Sequence, residues 1–205
     1  MLHSACRLRN YAAMVKNRLF VLILQHPQER RQALSTAAPL AAELGNAAIA
    51  TGLSWPNLAR ALRRNADPRR WAVLYLGSAH PAALTQGESV VVLDRTGAAL
   101  ADPARLLRSL EGIVLLDGTW SQAKSLWWRN PWLLKLHRLV LNPPRPARYG
   151  KIRREPRREA LSTIEAAALV LRAAEAKPDA ADALLAALDR LIDQLRPPTQ
   201  PRVSA

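Results

Sequence analysis

At 205 residues the chain is the size of one domain and long enough to bury a core without covalent staples. A single cysteine, Cys6, excludes an intrachain disulfide, and the scattered His3, His26, His80 and His137 give no zinc-ligand spacing, so no metal is expected and a reducing, cytoplasmic setting is. The 30 Lys and Arg against 16 Asp and Glu leave a formal charge of +14, whose potential gathers polyanions and makes nucleic acid the expected partner.

No apolar run approaches the roughly 18 residues of a membrane helix, and the start lacks the pattern of a signal peptide, so no membrane is expected. Residues 1–17 read as irregular and mildly basic, and Arg18 adds to that charge. The apolar run 19–24 reads as the first core strand, ending at Gln25-His26-Pro27. His26 is placed to contact a ligand, although a lone histidine before a proline is more often a loop residue bonded to backbone. Ser35-Thr36 opens a helix that Gly45 ends, and residues 47–50 suit a short strand. Ser54-Trp55-Pro56 predicts a helix with Pro56 at its first position, running to about Asn65 and exposing Arg60, Arg63 and Arg64. Residues 71–76 form the next buried strand, followed by Gly77-Ser78-Ala79-His80-Pro81, either a plain turn or a place where backbone approaches a cofactor closely. A strand at 90–93, a turn at 94–97 and a helix capped by Asp102-Pro103 follow. Strands alternating with helices at this spacing predict an α/β fold, a mainly parallel sheet with flanking helices.

The run 112–116 is apolar and β-branched, a strand covered on both faces, and Asp117 follows it at a strand-to-helix switch where ligands bind in open α/β sheets. Thr119, with Gln122 three residues on, reads as the cap of the next helix, which is compatible with a ligand at Asp117. Trp120, Ala123 and Trp127 share one face of that helix, and Trp120 and Trp127 are expected in the core. Trp128 and Trp132 are either further wedges or platforms for bases. After a strand at 137–141, the prolines of residues 142–150 make a rigid loop. Arg145, Arg148, Lys151, Arg153, Arg154, Arg157 and Arg158 then form a dense basic run, read as the surface for RNA phosphates rather than a solvated face. Residues 161–176 form a helix capped by Ser162 with Glu165, residues 180–196 an amphipathic helix, and 197–205 a disordered tail. No G-x-G-x-x-G, phosphate loop or Ser-His-Asp spacing supports nucleotide hydrolysis or acyl transfer.

Asp117-Gly118-Thr119-Trp120 resembles the D-x-T-W signature of the DTW-domain proteins, the tRNA-uridine aminocarboxypropyltransferases. Two further segments continue the resemblance: Leu22 to Glu29 is similar to the family's L-x-x-H-P-x-E segment, and Leu161-Ser162-Thr163-Ile164-Glu165-Ala166 to its S-T-x-E-A element. The match spans residues 20–175 and implies a catalytic domain over 18–196, with a SPOUT-like fold and a carboxy-terminal trefoil knot that binds S-adenosylmethionine. Residues 1–17 depart from the pattern, because many family members begin with paired cysteines and this segment keeps only Cys6.

The resemblance implies transfer of the 3-amino-3-carboxypropyl group to N3 of a tRNA uridine, with methylthioadenosine released. That nitrogen attacks only as its proton leaves, which requires a positioned carboxylate, and Asp117 is the candidate. Its charge is equally suited to holding the cofactor's amino group or sulfonium. Gly77 and Ser78 would approach the cofactor, and Leu116, Thr119, Trp120 and Ala123 would line its pocket. By likeness to the related transferases acting on ribosomal RNA, Leu141, Asn142 and Tyr149 with Leu161, Ser162, Thr163 and Glu165 would complete it. Modification of ribosomal RNA, methyl transfer and a non-catalytic RNA-binding module remain as alternatives, and oligomeric state is open. If the basic run clamps phosphates, replacing Arg153, Arg154 and Arg157 with Ala weakens tRNA binding for all sequences and flattens its salt dependence by up to roughly one log-log unit per lost contact; an unchanged slope marks a solvated face.

Overall fold

Apolar residues run unbroken from Leu19 to Leu24 and from Ile113 to Leu116, so both faces of these strands must be covered, and the fold is arranged to cover them. The computed structural model describes residues 14–32, 35–74, 88–143, 148 and 161–195. Six strands form one sheet: β1 (Phe20–Gln25), β2 (Ala47–Thr51), β3 (Trp71–Leu74), β4 (Val90–Leu93), β5 (Gly112–Asp117) and β6 (His137–Leu141), in the order β2-β1-β5-β3-β6-β4. All neighbours pair parallel except β4, which lies antiparallel on β6 at one edge, as mixed α/β sheets often allow. The mainly parallel α/β expectation therefore holds.

Alternate side chains of a strand point to opposite faces, and the two cores follow that period. Val21, Ile23, Ile113 and Leu115, with Ala72 and Leu139, face one side. There α1 (Ala37–Glu43), α3 (Pro103–Ser109), α5 (Thr163–Ala174) and α6 (Asp179–Leu195) cover them. Leu22, Leu24, Val73 and Val114 face the other side, under α2 (Leu58–Leu62) and the 3-10 turn Pro131–Lys135, with Trp127 of α4 (Trp120–Arg129) packed against them. Each such fully buried aliphatic side chain contributes about 1.5–3 kcal/mol by leaving water.

Two local expectations change. The helix expected to begin at Pro56 begins at Leu58, because the Asn57 side chain accepts from the Arg60 backbone N–H at 2.9 Å and caps it there. It ends at Leu62, before the expected Asn65, because Arg63 turns left-handed with φ of 57°. Arg18, expected to be part of a free basic segment, instead donates to the carbonyls of Leu107 and Leu110 at the end of α3 and of Ala174 at the end of α5. A cation there satisfies carbonyls that the helices leave open and complements their dipoles. Ahead of it, Val15 bridges to Leu44, and Asn17 is buried with hydrogen bonds to Leu19 and Asn46.

Of the flanks expected from sequence, residues 1–13 and 196–205 lie outside the described residues. No described helix is long and apolar enough to cross a membrane.

Gly112 opens β5 against the face of Trp71, itself 1% exposed. A Cβ at Gly112 would lie 2.5 Å from the Trp71 ring, closer than atoms can pack. Gly112→Ala is therefore expected to lower stability by about 1–3 kcal/mol in urea unfolding, through overpacking of a buried ring. An unchanged midpoint would show that Trp71 moves aside without cost.

Candidate active site

The carboxyl ends of β1, β2, β3, β5 and β6 all emerge at one end of the sheet, and polar residues gather there. Thr51, Gln25 and Asp117 are the last paired residues of β2, β1 and β5, so register alone sets them side by side. Their side chains join: the Thr51 hydroxyl donates to Gln25 Oε1 at 3.2 Å, and Gln25 Nε2 donates to Asp117 Oδ2 at 3.0 Å and to the Ser35 hydroxyl at 3.2 Å. From the first residue of α5, the Thr163 hydroxyl donates to Asp117 Oδ1 at 2.5 Å. Asp117 is 3% exposed and Gln25 4%. Among the described residues neither donor to the carboxylate carries charge, one being an amide and the other a hydroxyl.

Each residue after Asp117 has its own physical reason. Gly118 has φ of +156°, and a Cβ there would stand 2.9 Å from the Gln122 side chain, so the backbone passes only without one. Thr119 caps α4: its hydroxyl accepts from the Gln122 N–H, and Gln122 Oε1 accepts from the Thr119 N–H at 2.7 Å, completing the expected capping box. Gln122 Nε2 also donates to Gln28 Oε1 at 3.1 Å, tying α4 to the loop after β1. In that loop His26 Nδ1 accepts from the Gln28 N–H at 3.3 Å, the loop-residue reading of this histidine.

The capping box of α5 reaches further than the sequence suggests. Glu165, 5% exposed, accepts from the Ser162 N–H at 3.1 Å and the Ser162 hydroxyl at 2.7 Å through Oε2. Its Oε1 accepts from the Arg148 N–H at 2.7 Å, so a cap also fastens the chain before α5. The Arg148 guanidinium pairs with Asp189 of α6 at 2.8 Å, half-exposed on both sides. Its described charge is thus turned toward the fold, while Arg145, Lys151, Arg153, Arg154, Arg157 and Arg158 lie outside the described residues.

Of the expected cofactor residues, Leu116, Leu141, Asn142, Leu161, Ser162 and Thr163 stand half-buried at the strand ends and the start of α5, around the buried Asp117 and Glu165. Ala123 is buried one turn into α4. Gly77, Ser78 and Tyr149 lie outside the described residues. Trp120 is only half-buried, a departure from the core position expected of it, and Trp127 is half-buried against the core beneath α2. Trp132 is 6% exposed and Trp128 79%, which separates the two that sequence left open.

Sequence reasoning missed Gln25, Thr51 and Asn130. A polar residue ending an apolar strand was the available signal for Gln25. Asn130 is 0% exposed, with its carboxamide accepting from the Trp55 N–H and the Trp132 indole and donating to the carbonyls of Leu53 and Leu126. It pins the β2–α2 loop to the end of α4. Among the described residues no group of three or more His, Cys, Asp or Glu is arranged to hold a metal.

Fold and geometry together define a parallel α/β protein with a buried acid at the carboxyl ends of its central strands. The chain belongs to the DTW-domain family, whose domain it matches over residues 1–196. It is 32% identical over 173 residues to tRNA-uridine aminocarboxypropyltransferase 2 of Drosophila melanogaster, covering 83% of this chain and 62% of that protein. It is 37% identical over 93 residues to the Mus musculus protein of the same name, covering 45% of this chain and 31% of that one. The chain thus spans less than two thirds of the length of these relatives. No solved structure matches it.

The row makes a stability prediction with a built-in contrast. In Asp117→Asn the amide oxygen still accepts from Gln25, and the Thr163 hydroxyl rotates to accept from the new NH2, so the loss is about 1 kcal/mol or less. Asp117→Ala removes the acceptor of both donors, leaving Gln25 Nε2 only its bond to Ser35, and costs about 1–3 kcal/mol. Denaturant unfolding of both variants checks this, and equal losses would deny that the row is a hydrogen-bonded unit.

Proposed function

We propose that the chain transfers the 3-amino-3-carboxypropyl group of S-adenosylmethionine to N3 of a uridine in tRNA, in a reducing, cytoplasmic setting, and releases methylthioadenosine. Family membership and the names of the relatives support the reaction class. The observation that carries the reading for this chain is Asp117: a carboxylate 3% exposed, at a strand-to-helix switch, whose side-chain donors among the described residues, Gln25 and Thr163, are uncharged. A buried anion without a cationic partner in those bonds is costly unless a ligand balances it.

The residues present fit the cofactor. Its sulfonium and ammonium are cationic and suit Asp117, and Gly118 lets backbone approach without a side chain. Leu116, Leu141 and Leu161 supply apolar walls, and Ser162 and Thr163 polar ones, at the same end of the sheet. When bound, the cofactor supplies a carbon made electrophilic by the adjacent sulfonium. Asp117 holds the positive charge against the strand ends, and Gln25 and Thr163 hold Asp117 in one orientation. The uridine N3–H bond would break as the N–C bond forms, its proton passing to the Asp117 carboxylate as the sulfonium charge is lost, and the electron pair of the breaking C–S bond would leave with the sulfur of methylthioadenosine. Orientation of the cofactor decides whether the aminocarboxypropyl carbon or the methyl faces RNA, and Trp120 and Ala123 at the start of α4 form the wall that sets it. Catalysis then follows from proximity and charge placement, with no metal invoked.

We propose in addition the SPOUT-like arrangement with a carboxy-terminal knot that the family resemblance implies; α5 packs on β5 and β4 and brings Thr163 to Asp117, as that arrangement would require of the helix after the knot.

Purified chain incubated with unmodified tRNA and S-adenosylmethionine tests the reading by nucleoside mass spectrometry. The expected products are aminocarboxypropyl-uridine and an equal amount of methylthioadenosine. Methylated nucleoside with adenosylhomocysteine, product on ribosomal RNA only, or no product would overturn it.

A further inference from the structure

The two faces of the sheet carry different charge. Between Glu43 and Asp67, and again between Asp117 and Glu155, the chain contains no Asp or Glu. Those two stretches supply α2, α4 and the turn Pro131–Lys135, the elements that cover the face of Leu22 and Val114. Their exposed cations are Arg60, Arg63, Arg64, Lys124, Arg129 and Lys135. None of the six forms an ion pair among the described residues, whereas α5 and α6 on the opposite face pair their arginines with carboxylates. The same basic face holds Trp128, 79% exposed, Leu134, 67% exposed, and Leu53, 38% exposed. Asn130 locks Leu53, Trp55, Leu126 and Trp132 together beneath them, so the platform is rigid. Trp128 follows Lys124 by four residues, placing indole and ammonium on one side of α4.

We infer that the α2–α4 face is the RNA-docking surface and that Trp128 stacks on an unpaired base of the substrate. This rests on the proposed RNA substrate and names where that substrate lies. Trp128, Leu134 and Leu53 put exposed apolar surface on one basic face, and bases stack on an exposed indole whatever their identity. Phosphates on either side of a stacked base need cations without competing carboxylates, and this face has them. Trp128 stands about 12 Å along α4 from Trp120, at the end of the helix that starts beside Asp117, so an RNA strand reaching the site runs along α4.

Equilibrium binding of tRNA, and of a short unstructured uridine oligonucleotide, tests this without reference to turnover. Trp128→Ala is expected to weaken both by about 5- to 100-fold, and Trp128→Phe to restore most of the loss. Lys124→Gln with Arg129→Gln is expected to flatten the salt dependence while the thermal midpoint stays unchanged. If the unaltered chain binds no RNA at any salt concentration, the proposed function itself falls. If it binds RNA and Trp128→Ala binds equally well, this inference alone falls. A concentration-dependent dimer seen by light scattering and lost in Trp128→Ala would instead assign the face to a second copy of the chain and overturn the inference.

Discussion

Everything proposed for the site depends on one row of hydrogen bonds, from the exposed Thr51 through the buried Gln25 and Asp117 to the half-buried Thr163. It joins three adjacent parallel strands and the start of α5, elements that come from widely separated parts of the chain. A single polar row at the end of an otherwise apolar sheet is tolerated because each member has a partner, and it fixes where the strands end relative to one another. Among the described residues the donors to the acid are uncharged, so it is a structural member that also suits the cationic ligand proposed for it.

The same economy appears elsewhere. Arg18 closes two helix ends, Asn130 satisfies four partners, and Glu165 serves a cap and the backbone before α5 at once. In each case one polar side chain gathers several backbone groups that helices and loops leave open. Arg172 of α5 and Arg190 of α6 are engaged with carboxylates, whereas among the described residues the cations of α2 and α4 form no ion pair, although Arg64 lies over the Phe20 ring. Cations without carboxylate partners on α2 and α4 form the face proposed above to meet RNA.

Much of this was legible in the sequence. Apolar runs at 19–24, 71–76, 90–93 and 112–116 marked strands because strands covered on both faces read as continuous apolar runs, and the caps at Asp102, Thr119 and Ser162 marked helix starts because a side-chain oxygen there replaces a missing partner. Asp117 stood out by its position after a strand. What sequence did not disclose depends on pairing across the sheet: nothing local to Gln25 or Thr51 says that register will set them beside Asp117. Likewise Asn130 reads as one more loop asparagine, and Arg18 as one more surface charge, until the helix ends they serve are brought to them. Trp128 and Trp132 could not be sorted into buried and exposed by spacing, because the chain changes from α-helix to 3-10 turn between them at Asn130 and the period changes with it.

The central claim is that Asp117 meets the positive charge of the cofactor rather than serving only the fold. Calorimetric titration of S-adenosylmethionine into the unaltered chain and into Asp117→Asn, paired with transfer rates at saturating cofactor and tRNA, tests it most directly. The account predicts that the variant binds the cofactor more weakly and loses about 10²- to 10⁴-fold in rate. Undiminished affinity, or near-normal turnover at saturation, would contradict it.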